Sequence, residues 1–144
     1  MNFILLSDYY HPIIKSGSII VGDLANELTH QGHGVTLVTF VNNQSKRCKV
    51  TVEGKLQIIR IRTRARKYGR IGRLWAEYTY SKRIIRNLKN LKNIQCEAII
   101  CYAPSIFYGQ AISWLKKKFN SKAYLVIRDI FPEWTVEAGL LKKG

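Results

Sequence analysis

Residues 3–40, FILLSDYYHPIIKSGSIIVGDLANELTHQGHGVTLVTF, decide the fold. Phe3-Ile4-Leu5-Leu6-Ser7 is a short continuous apolar run of the kind found in strands buried on both faces. A loop of mixed character follows, from Asp8 to Gly17. From Ser18 the period changes, and Ile19, Ile20, Leu24, Ala25 and Leu28 are expected to share one helical face. Gly32-His33-Gly34 is a helix stop, and Val35-Thr36-Leu37-Val38-Thr39-Phe40 is a second strand. Strand, loop, helix and strand in that order make a right-handed βαβ unit, the opening of a Rossmann-like sheet.

The rest of the chain continues that pattern. Val50-Thr51-Val52 and residues 56–62 read as a hairpin turning at Glu53-Gly54. In its second arm Ile59 and Ile61 alternate with Arg60 and Arg62, which predicts one buried face and one cationic face. Residues 71–91 carry helical spacing through Ile71, Leu74, Trp75, Tyr78, Ile85 and Leu88. Residues 97–102 form a buried strand, Ser105 is placed to cap a helix over 106–118, and residues 123–127 form a further strand. The expected fold class is therefore α/β, a Rossmann-like parallel sheet flanked by helices. The chain of 144 residues makes one such domain, 1–144.

Composition narrows the chemistry. Twenty-four Lys and Arg against nine acidic residues give a net charge of +15, which attracts nucleic acid, anionic lipid or phosphorylated substrates. Half of those cations fall between Arg60 and Lys92, where Glu77 is the single acid and Tyr68, Trp75, Tyr78 and Tyr80 are interleaved. Such a belt suits an anionic membrane interface through Arg64, Arg66, Lys67, Arg70, Arg73, Trp75, Lys82, Arg83 and Arg86. It would equally suit RNA, or be the solvated face of a core helix. Cys48, Cys96 and Cys101 show no CxxC spacing and read as reduced thiols of a cytosolic protein, and no metal site is expected. No GxGxxG or Walker A motif is present. The amino terminus lacks the basic region of a signal peptide, and no apolar run is long enough to span a bilayer.

Two segments lie where parallel sheets bind ligands, beyond the carboxyl ends of strands. The first is the loop holding His11 and the turn Ser16-Gly17-Ser18, which leads into a helix amino terminus suited to phosphate or a sugar hydroxyl. It reads equally as a plain βα turn. The second is Arg128-Asp129-Ile130-Phe131-Pro132-Glu133-Trp134. Asp129 or Glu133 could serve there as a base or hydrogen-bond a sugar, and the same residues could simply open a helix. His30 and His33 flank the carboxyl end of the first helix, where they complement its negative pole.

Taken in order, the opening strand, the Asp-Tyr-Tyr-His-Pro loop, Ser16-Gly17-Ser18, and Leu24 through Gly32-His33-Gly34-Val35-Thr36 resemble the start of family 4 glycosyltransferases. The segment from Arg128 to Trp134, with Gly139-Leu140-Leu141, is similar to one in O-antigen and capsule members. The resemblance implies the amino-terminal, acceptor-binding half of a GT-B enzyme. Such an enzyme is a retaining transferase that moves a hexose or N-acetylhexosamine from a nucleotide-sugar. The acceptor would be a saccharide on undecaprenyl diphosphate, in O-antigen or polysaccharide synthesis at the inner face of the bacterial inner membrane. It implies no cofactor or metal, and a donor domain bearing a Glu-x7-Glu motif. It maps acceptor and phosphate contacts onto His11, Ser16, Gly17, Ser18 and Arg128, and acid chemistry onto Asp129 and Glu133. Two departures stand out: Ser18 replaces the second glycine often found in the turn, and the donor domain is absent, so this chain alone is expected to transfer no sugar. The competing expectation is a non-enzymatic basic α/β module binding RNA or another polyanion; a lipid-linked acceptor, an anionic membrane surface and the donor domain are the expected partners, and nucleic acid is not.

Overall fold

The computed structural model describes residues 1–63, 77–91, 93–102 and 106–127. Its strands in chain order are β1 (Asn2–Ser7), β2 (Gly34–Val41), β3 (Cys48–Glu53), β4 (Leu56–Arg62), β5 (Ala98–Tyr102) and β6 (Lys122–Val126). The helices are α1 (Ser16–His30), α2 (Tyr80–Lys89) and α3 (Gly109–Phe119), the last entered through a 3-10 turn at Ile106–Tyr108. Among the described residues these strands form one sheet in the order β3-β4-β2-β1-β5-β6. All neighbours are parallel except β3, which pairs antiparallel with β4 at the edge. The expected Rossmann-like α/β architecture is present, flanked by helices on both faces.

Alternation along the strands sends side chains to two cores. Leu5, Val35, Leu37 and Ile58 pack under α1 with Val21 and Ala25. Ile4, Leu6, Phe40 and Ile59 pack on the opposite face against Tyr80 and Ile84 of α2 and Leu115 of α3. Two aromatic rings organise that second core: Phe40 and Tyr80 stack with centroids 3.8 Å apart. The Ser81 hydroxyl then donates to the carbonyl of Phe107 and accepts from the N–H of Ala111, tying α2 to the start of α3.

Local chemistry sets the ends of α1. Lys15 is extended at φ −138°, and its N–H donates to Ser18 Oγ at 2.9 Å, which holds the first turn. At the other end Gly32 takes φ +87°, its N–H reaches Thr29 O at 3.0 Å, and His33 N–H reaches Leu28 O at 3.0 Å. This is a Schellman closure, and only glycine adopts its φ without cost.

Several expectations need correcting. The inner stripe of α1 is Ser18, Val21, Gly22 and Ala25, with Leu24 and Leu28 partly covered, and Ile19 and Ile20 face outward. Small residues take the inner face because the helix lies close to the sheet and to the His11 ring, which sits 3.7 Å from where a Gly22 Cβ would be. In α2 the stripe is Tyr80, Ile84 and Leu88; Tyr78 is exposed, and Tyr80 is core rather than part of a surface belt. The hairpin turns at Gly54-Lys55, one residue later than the pattern indicated, because Glu53 pairs with Leu56. Among the described residues β6 is an edge strand, with Tyr124 and Leu125 both exposed.

The stacked pair sets a stability expectation. Phe40→Ala should lower unfolding free energy by about 3–5 kcal/mol, whereas Ile19→Ala, on the outward face, should change it by less than about 0.5 kcal/mol. Urea titration of both variants against the parent chain checks this.

Candidate functional site

The carboxyl ends of β1, β2 and β4 support a cavity of about 660 Å³ lined by His11, Pro12, Ile13, Val41, Asn42, Asn43, Gln44, Lys49 and Arg60. Three chain segments meet there: the β1–α1 loop, the β2–β3 loop, and the β3–β4 hairpin. The direction of the parallel strands places all three at one edge.

Arg60 is the brace of the cavity. Its guanidinium donates to Thr51 Oγ1 at 2.9 Å across the hairpin and to the carbonyl of His11 at 3.3 Å across the cavity mouth. It also lies 5.9 Å from the centroid of the Tyr10 ring. Gln44 Nε2 closes the circuit by donating to Arg60 O at 2.9 Å. The loop is further shaped by Ile13 N–H donating to Tyr10 O at 3.1 Å, by Ser7 Oγ donating to Tyr9 O at 2.9 Å, and by a cis His11–Pro12 bond. Tyr10 packs edge-on to His11, and burial, reinforced by Glu53, pushes its phenol above the usual range while Arg60 partly offsets them.

The lining is chemically mixed. Asn42, Asn43 and Gln44 supply amide donors and acceptors, and Lys49 and Arg60 supply positive charge. Asn42 Oδ1 is enclosed and has no hydrogen-bond partner among the described residues. Val41, Pro12 and Ile13 give an apolar wall.

His11 lines the cavity and is exposed. The turn Ser16-Gly17-Ser18 sits beside it at the α1 start but does not line it. Ser18 has no accessible surface, and its hydroxyl accepts from Lys15 N–H and donates to Lys15 O at 2.8 Å, so it locks the turn. Gly17 is half-buried; a Cβ there would meet the Tyr102 ring at 3.3 Å, so the glycine admits close contact between α1 and β5. Ser16 is exposed. Arg128, Asp129 and Glu133 lie outside the described residues, as do Arg64, Arg66, Lys67, Arg70, Arg73 and Trp75. Of the remaining belt, Lys82 and Arg86 are exposed on α2, whereas Arg83 is braced by bonds to Thr79 Oγ1 at 3.0 Å and Arg62 O at 2.8 Å. The cationic face expected on β4 is half-buried, since Arg60 and Arg62 are held on oxygens of the neighbouring loops and Ile58 is covered by α1. His33 leaves the helix pole and contacts the terminal amine at 3.4 Å and the Phe3 ring edge-on.

A second cluster, invisible to local motifs, lies where the strand order reverses between β1 and β5. Asp8 is buried, and the Tyr108 hydroxyl donates to its Oδ1. Burial, then the Asp8 charge, raises the Tyr108 phenol well above its normal range. The same two causes, in the same order, push the Cys101 thiol up to about 12. The three cysteines are free thiols. Among the described residues no group of three or more His, Cys, Asp or Glu could hold a metal, and no helix is long and apolar enough to cross a membrane.

No family model and no curated protein matches the chain. Among solved structures it is similar to trehalose-6-phosphate synthase from E. coli bound with UDP-2-fluoro glucose, a GT-B glycosyltransferase. The TM-score is 0.56 at 12% identity, over 92% of this chain and 34% of that one. The chain thus spans about a third of that protein's length. At this identity the likeness shows the fold: a Rossmann-like unit of the GT-B kind.

Titration of Cys101 should be visible in stability. Its folded pKa of about 12 lies above the ordinary 9.0, so folding favours the neutral thiol. Its contribution is fully present below pH 9 and is lost as pH rises toward 12, because only the unfolded chain gains the thiolate readily. Thermal melts across that window should fall less steeply for Cys101→Ala than for the parent, with Tyr108 supplying the residual alkaline slope.

Proposed function

We propose that this chain is the acceptor-side domain of a retaining GT-B glycosyltransferase, transferring a hexose or N-acetylhexosamine from a nucleotide-sugar to a saccharide carried on undecaprenyl diphosphate. The observation that carries the reading is the cavity at the strand carboxyl ends, which joins amides, two cations and an apolar wall on a fold shared with a UDP-sugar-bound transferase. The succession of motifs resembling family 4 enzymes of O-antigen synthesis supports the finer assignment.

The residues divide the work by chemistry. Asn42, Asn43 and Gln44 hydrogen-bond acceptor hydroxyls, and the His11 ring at the mouth adds a further polar contact. Lys49 and Arg60 offset the charge of the diphosphate that links sugar to lipid. Arg60 does so while also holding the His11 loop in place. Asp129 and Glu133 are proposed to stand near the reacting hydroxyl, and Arg128 near phosphate. In such an enzyme the nucleotide-sugar is bound mainly by a second, donor-binding domain, and the residues of this domain serve the acceptor. Cations of the 64–86 belt hold the domain at the anionic inner face of the bacterial inner membrane.

Isothermal titration with a short-chain prenyl diphosphate-linked N-acetylhexosamine tests the reading. The chain should bind it at least roughly tenfold more tightly than UDP-glucose, a gap of about 1.4 kcal/mol. Equal or inverted affinity would sink the acceptor assignment, and preference for an RNA oligomer would favour the polyanion-binding module instead. Lys49→Ala should weaken acceptor binding about tenfold and leave the fold intact, because it removes one charge-assisted contact from an exposed side chain.

A further inference from the structure

Among the described residues β3 pairs with β4 and has no strand on its other edge. Its sequence, Cys48-Lys49-Val50-Thr51-Val52-Glu53, is symmetric in character about Thr51. Val50 and Val52 flank the threonine, and Lys49 and Glu53, of opposite charge, flank the valines. All four flanking residues are exposed, Val52 at 66%. Among the described residues neither Lys49 nor Glu53 takes part in an ion pair. Lys49 instead sits directly opposite Arg60 on β4, a like-charge cross-strand pair of the kind that costs stability.

The backbone matches that symmetry. Arg62 N–H donates to Arg47 O at 2.8 Å, one step beyond the Cys48–Ile61 pair in the same register. By antiparallel alternation, Lys49, Thr51 and Glu53 then turn their N–H and C=O groups toward β4, and Cys48, Val50 and Val52 turn theirs outward. Such an outward row is a template for another strand.

We propose that β3 is a homodimer interface: a second copy of this chain adds its own β3 antiparallel to the first, about a two-fold axis through Thr51. In that register Val50 faces Val52 of the partner subunit, and the two exchange N–H···O bonds through their outward groups. Lys49 faces the partner's Glu53 at a position without backbone bonds, where opposed side chains approach most closely. The axis makes each of these contacts twice. Valines cover valines on one face of the joined strands, and two Lys–Glu pairs flank the threonines on the other. Charge selects both the occupant and its direction, since in-register parallel pairing would oppose Lys49 with Lys49 and Glu53 with Glu53. A lysine on an edge strand ordinarily keeps other strands away, but the glutamate at the symmetric position turns that guard into a match. Lys49 also lines the cavity, so the dimer would stand the partner's Glu53 at the cavity rim. The inference goes beyond the acceptor reading and does not depend on what the cavity binds.

The test is sedimentation equilibrium of the purified protein over about a hundredfold range of concentration. The parent should show a monomer–dimer equilibrium that weakens as salt is raised. Glu53→Lys and Lys49→Glu should each weaken self-association at least about tenfold, because each turns both attractive pairs into repulsive ones. Mixed in equal amounts, the two variants should associate with one another about as tightly as the parent does with itself, since unlike charges meet again at both pairs. The double variant Lys49→Glu, Glu53→Lys should dimerise like the parent for the same reason. Val52→Pro should abolish the dimer, because it removes an outward N–H that the partner needs and none that β4 uses. Circular dichroism confirms that each variant is folded. A parent that stays monomeric throughout, single variants that self-associate as the parent does, or folded single variants that fail to associate when mixed would each overturn the interface. None of these results touches the acceptor reading, which the prenyl diphosphate titration decides.

Discussion

β1 is the strand on which the rest of the structure depends. Ile4, Leu5 and Leu6 are each 0% exposed, so every one of its central side chains is covered although they alternate between two faces. A strand buried that way demands helices on both sides, and parallel neighbours at β2 and β5 meet the demand by crossover connections. The dehydration of that one strand thus enforces the three-layer build. It also bears on where ligands can go, because the connections that follow β1 and its neighbour β5 leave from carboxyl ends and lead apart, to β2 on one side and β6 on the other.

Arginine then does the mechanical work that the sheet cannot. Arg60, Arg62 and Arg83 each donate to a carbonyl oxygen well removed in sequence, those of His11, Ser45 and Arg62 respectively. A planar guanidinium keeps its charge while several of its donors are occupied. Arg60 can therefore hold the His11 loop to the hairpin and still give the cavity a positive wall. Net charge by itself overstates the free cationic surface of such a protein, since part of it is consumed as bracing.

The order of strands and helices was readable because long apolar runs and glycine stops are local signals. Gly32 with His33 marks the α1 closure in the sequence itself, and the Val35–Phe40 run marks β2. Faces were harder. Ile19 and Ile20 fit a helical stripe as well as Val21 and Gly22 do, and hydropathy favours the isoleucines. What decides is the clearance between helix and sheet, which admits Ser18 and Gly22 and is invisible in one sequence. His11 could be placed at the binding edge because it follows β1 directly. Asn42 follows β2 directly and carries the same signal, whereas Lys49 and Arg60 could not be placed, since they reach the cavity through the hairpin fold. Asp8 and Tyr108 are separated by a hundred residues in the chain, and no spacing rule connects them.

Outward isoleucines on α1 follow from the same clearance that pulls small residues inward. A helix carrying a glycine and a serine on its inner face can lie close to the sheet, but its bulkier side chains must then go elsewhere. At the start of α1 they go to the end of the domain that also holds the cavity. Elsewhere on the helix the outward positions are Asp23, Asn26 and Glu27, which water solvates without cost. On α1 the apolar exposure is therefore confined to the end of the helix nearest the cavity. Tight packing inside and apolar display outside are two consequences of one helix–sheet distance, and they place a greasy edge next to a polar, positively charged hollow.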